Sequence, residues 1–166
     1  MKKQLIVLGL GVLAVFIALQ AYHFNVQQEM KKEIGRGYLV NMVNVSNTFK
    51  NLDYDIVEKM EADNSEYGSL NNLYSMLMYL DVQSFKGQPE IRSLLQDINK
   101  LLSEYKINGE LTNKQQAAFD SNVRKVRFIV MELEDMLGSE IDWYYAFVEP
   151  TEAIQKRVQE RLLMNF

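Results

Sequence analysis

The sequence predicts an all-α fold: an N-terminal transmembrane helix followed by an extracytoplasmic, antiparallel helical bundle. Three observations carry this expectation. Residues 5–19 are apolar without interruption behind Met1-Lys2-Lys3-Gln4, the basic-then-apolar order of an export segment. From Ile34 onward, apolar residues recur three and four apart, the beat of amphipathic helices. No stretch keeps the strict alternation of a half-buried strand.

Composition sets the outer limits. A chain of 166 residues with 48% hydrophobic content and a net charge of −4 closes one core of ordinary size. It has no Cys and one His, so it has no disulfide framework, no thiolate metal site and no cysteine nucleophile. A pI near 5.1 lacks the basic footprint of a nucleic-acid binder.

The elements follow in chain order. Residues 1–24 form the anchor. Residues 4–24, wound as a helix, span about 31 Å, enough for the hydrocarbon core. Tyr22 and Phe24 then sit as aromatic anchors at the outer interface. The best cleavage site, Leu19-Gln20-Ala21, has a bulky residue where a small one is needed, so an uncleaved signal-anchor is expected. Lys2 and Lys3 place the amino terminus in the cytoplasm and the bulk of the chain outside it. Gly11, Ala14 and Ala18, continued by Ala21, put small side chains on one face, where a second membrane helix can approach closely.

Residues 25–37 form a juxtamembrane segment in which Gly35 and Gly37 read as a kink or flexible joint. Residues 38–138 form the bundle. Tyr38, Met42, Val45, Phe49, Leu52, Ile56 and Met60 predict one long helix ending near Asp63. Leu70, Leu73, Leu77 and Leu80 stripe a second, closed by Gly87. Pro89 opens a third, striped by Ile91, Leu94, Leu95, Ile98, Leu101, Leu102 and Tyr105, and Asn108-Gly109 ends it. Thr112 and Gln115 are spaced as a capping box for a fourth, striped by Phe119, Val123, Val126, Val130, Leu133 and Leu137. In residues 139–166, Ser139 and Asp142 cap a short aromatic helix that Pro150 ends, and an amphipathic helix follows with Ile154, Val158 and Leu162 on one face.

Candidate chemistry is sparse. His23 stands at the membrane boundary with no orienting partner nearby in sequence, so no hydrolytic triad is expected. The stretch 63–70 opens like a calcium loop, but Tyr67 and Tyr74 fall where oxygen ligands are required. Six acids from Asp53 to Glu66 stand against one base, Lys59, and the small basic group of Arg124, Lys125 and Arg127 is a candidate to pair with them; neither cluster identifies a ligand. No catalytic residue, cofactor or metal is therefore assigned.

Residues 141–148 are apolar nearly all round and hold Trp143, Tyr144, Tyr145 and Phe147. Such a helix either plugs the bundle or meets a partner. The interaction candidates are Gly11, Ala14, Ala18, Trp143, Tyr144, Phe147, Ile154, Val158 and Leu162. The expected function is that of a single-pass membrane protein working by protein–protein contact, as an accessory, scaffold or assembly subunit of a cell-envelope complex. Its partners are the membrane and an envelope protein or a second copy of the chain, with no nucleic acid. The alternative is an exported bundle binding a small ligand, its interior softened by Met42, Met60, Met76, Met78, Met131 and Met136.

Overall fold

The computed structural model describes residues 2–62, 70–83 and 88–164. Among them are seven helices and no strand: α1 (Lys2–Phe49), α2 (Tyr54–Ala62), α3 (Leu70–Gln83), α4 (Pro89–Asn108), α5 (Asn113–Met136), α6 (Glu140–Phe147) and α7 (Glu152–Leu162). The expected cap at Gly87 and the calcium-like stretch before Leu70 lie outside the described residues.

Helix α1 runs 48 residues without a break, about 72 Å at 1.5 Å per residue. Its first half is long and apolar enough to cross a membrane. Leu10, Leu13, Phe16, Ile17 and Leu19 there are all more than half exposed among the described residues. The second half buries Met42, Val45 and Phe49. One helix therefore joins a bare apolar rod to the core of the bundle.

Gly35 and Gly37 form no joint, because the helix passes through both. Gly35 serves a different purpose. A Cβ there would lie 1.7 Å from the carbonyl oxygen of Glu140 and 2.9 Å from the nitrogen of Tyr144, both backbone atoms of α6. Only glycine lets two helix backbones cross this closely. Gly37 faces open space.

The expected long helix ending near Asp63 is interrupted at residues 50–53. The Asp53 side chain accepts the Ile56 N–H at 2.9 Å, and Asp120 of α5 accepts the Tyr54 N–H at 2.9 Å. Both satisfy donors that a helix start leaves free. Leu52 and Val57, one residue before the cap and four after it, are both buried, as in a hydrophobic staple. The restart shifts the inward face. Tyr54 and Val57 are buried, whereas Ile56 and Met60 are only partly covered.

The remaining caps follow local chemistry. Pro89 opens α4, and Gly109 closes it in the left-handed region at φ 76°. Thr112 and Gln115 exchange both bonds of a capping box, as do Ser139 and Asp142. Helices α3 and α4 run antiparallel, because Asn71 meets Lys106 while Met78 meets Asn99. Buried side chains from α1 through α7 form one core cluster. In α7, Ile154 and Val158 are buried, and Arg157 (3.1 Å) and Arg161 both pair with Glu132 of α5.

Candidate functional site

Two places concentrate the chain's polar and aromatic chemistry. The first is the crossing of α1 and α6. Trp143 (2% exposed), Ala146 and Phe147 point inward, where Phe147 stacks on Tyr38 at 4.8 Å and on Trp143 at 5.9 Å. Gln88, itself buried, donates to the Ala146 carbonyl and ties the start of α4 to this helix. Toward the apolar half of α1, Lys31 donates to the Tyr145 hydroxyl at 2.9 Å. Its ammonium also lies 5.1 Å from the Tyr144 ring and 4.7 Å from the Tyr145 ring, within cation–π range. Arg36 Nε pairs with Glu140 at 2.6 Å, and that hydrogen bond holds the Glu140 carboxyl below its usual range.

The second place is the α1–α2 break. A cleft of about 490 Å³ opens there, lined by Lys50, Asn51, Leu52, Asp53, Asp55, Ile56, Asp120, Arg124 and Arg127. The acids and bases singled out from sequence do meet here in part. They line one space, yet no ion pair joins them among the described residues. Asp53 and Asp120 instead accept backbone N–H groups of α2. Tyr54, next to Asp53, is buried with its hydroxyl accepting the Leu111 N–H at 3.2 Å, and burial pushes its titration upward.

The sequence-derived interaction residues separate into three groups. Gly11, Ala14 and Ala18 lie on the exposed half of α1, with open space beside Gly11. Tyr144 and Leu162 are half-covered. Trp143, Phe147, Ile154 and Val158 are buried by the chain's own helices. These four pack the core in this conformation, because α1 and α5 supply the apolar surface that a partner would otherwise have to provide. Of the six methionines expected to soften the interior, Met42 is core and Met60 and Met76 pack against it, whereas Met78, Met131 and Met136 face outward.

Two features were not reached from sequence. Gly35 looks like any helix-breaking glycine, since the α6 backbone it touches is about a hundred residues away. The cleft joins Lys50 to Arg124 and Arg127 across about seventy-five residues; the charge runs suggested those arginines beside the acids of 53–66 but gave no reason to add Lys50. No family model, curated protein or solved structure matches the chain.

Proposed function

We propose that the chain is a single-pass membrane-anchored protein whose bundle works outside the cytoplasm by binding, as an accessory, scaffold or assembly subunit of an envelope complex. The observation that supports this reading is the continuity of α1. Its first half exposes large apolar residues on all sides, which water penalises by about 25 cal/mol per Å² of apolar surface. Lipid or another membrane helix removes that penalty.

The same helix enters the bundle without a joint and is clamped at Gly35, about 16 Å beyond Phe24 at helical rise. Such a rod fixes the bundle's height and orientation above the bilayer, which suits a subunit that holds a partner at a set position. Contacts within the membrane fall to the Gly11, Ala14 and Ala18 face. Outside it they fall to exposed groups such as Phe128 and Met131 on α5, since Trp143 and Phe147 are taken up by the core.

The test is purification of carboxy-terminally tagged chain from native membranes in mild detergent, followed by mass spectrometry. An intact amino terminus and stoichiometric membrane partners are expected. A truncated, soluble protein recovered alone overturns the proposal.

A further inference from the structure

We propose that the cleft at the α1–α2 break binds a small oxyanion, a carboxylate or a phosphate, through Arg124, Arg127 and Lys50.

The space is about 490 Å³, within the range of small-ligand sites. Its cationic wall comes from two elements. Arg124 and Arg127 are three apart on α5, so they project from neighbouring positions on one side of the helix. Lys50, the first residue after α1, lines the same cleft. None of the three has an ion-pair partner among the described residues.

Three carboxylates share the cleft, Asp53, Asp55 and Asp120, yet none of them forms an ion pair with these cations among the described residues. Asp53 and Asp120 are held by the Ile56 and Tyr54 N–H groups, which commits them to the first turn of α2. The N–H donors of Arg124, Arg127 and Lys50 line the cleft without an ion-pair partner among the described residues. A bound oxyanion gains the paired N–H bonds that a guanidinium offers to carboxylate or phosphate. The flanking carboxylates of Asp53, Asp55 and Asp120 repel extended polyanions, so the geometry points to a compact ligand of one or two negative charges.

The experiment uses the full chain in a maltoside detergent at constant ionic strength. Inorganic phosphate and succinate are titrated separately against sodium chloride controls, and the melting temperature is read by Trp143 emission. A ligand that binds only the folded state raises that temperature by mass action. A saturable rise is expected with one of the two probes, and which probe saturates identifies the ligand as phosphate or carboxylate. In Arg124→Gln/Arg127→Gln the apparent affinity falls at least tenfold. The unliganded melting temperature stays unchanged or rises, because these side chains are exposed and half-exposed. Lys50→Gln weakens binding less. Absence of a saturable shift with either probe overturns the proposal, as does a shift of equal size in the double variant.

Discussion

Replacing Gly35 by Ala should destabilise the fold, against the ordinary helical trend. In a helix interior Ala is better than Gly by about 1 kcal/mol. Here the new methyl would lie 1.7 Å from the Glu140 carbonyl oxygen, 2.8 Å from its carbon and 2.9 Å from the Tyr144 nitrogen. All three are backbone atoms, so no rotamer change relieves the clash. Helix α6 has to withdraw by about 1.7 Å before the contact reaches 3.4 Å. That withdrawal loosens Trp143, Ala146 and Phe147, all buried, and the Tyr38–Phe147 stack. Overpacking of this kind costs about 3 kcal/mol at the upper end of its usual range. Set against the helix gain, the net loss is about 2 kcal/mol, or about 6 °C in melting temperature for a chain of this size.

Gly37→Ala is the matched control. It has open space around it and should gain about 1 kcal/mol from the same propensity term. Thermal unfolding of the full chain in mild detergent separates the two, and Trp143, the chain's one tryptophan, reports directly from α6. If Gly35→Ala melts at or above the wild-type temperature, the close crossing of α1 and α6 is wrong.

Two further outcomes follow from the packing. Glu140 is held in its charged form chiefly by the Arg36 hydrogen bond. Its contribution is therefore complete above the unfolded glutamate value, about 4.3, and is lost as the pH falls through the lower folded value. Glu140→Gln should flatten the acid side of a melting-temperature profile, and an unchanged acid limb would count against the pair. Asn99 is buried with its side-chain oxygen unpartnered, so Asn99→Leu should be neutral or stabilising by about 1 kcal/mol. A loss of more than about 2 kcal/mol in urea unfolding would mean that the amide is satisfied in solution.

The parts of the fold legible in the sequence are those governed by neighbours in the chain. Pro89, Gly109, the Thr112–Gln115 box and the Ser139–Asp142 box each act within one helical turn, and each appears where its spacing placed it. The stripes of α4 and α5 also fill the core nearly residue for residue. The break at residues 50–53 was hidden because Phe49, Leu52 and Ile56 keep a helical beat across it. The signal that opposed that beat was Asp53 as a cap, stapled by Leu52 and Val57. Residues 141–148 left plug and partner surface open, since periodicity says that a helix is covered without saying by what. Gly35 and the Lys50–Arg124–Arg127 cleft depend on approaches between distant segments, which no local pattern encodes.

The central claim, an apolar rod in the membrane bearing a bundle outside the cytoplasm, is tested most directly by cysteine labelling. The chain contains no native cysteine, so Phe16→Cys on α1 and Lys114→Cys on α5 each introduce a single thiol into an otherwise silent background. Both positions are exposed in the folded chain, and only a membrane distinguishes them. With a membrane-impermeant maleimide on intact expressing cells, Lys114→Cys should label fully and Phe16→Cys only after detergent. Labelling of Phe16→Cys in intact cells, or protection of Lys114→Cys until lysis, would contradict the account.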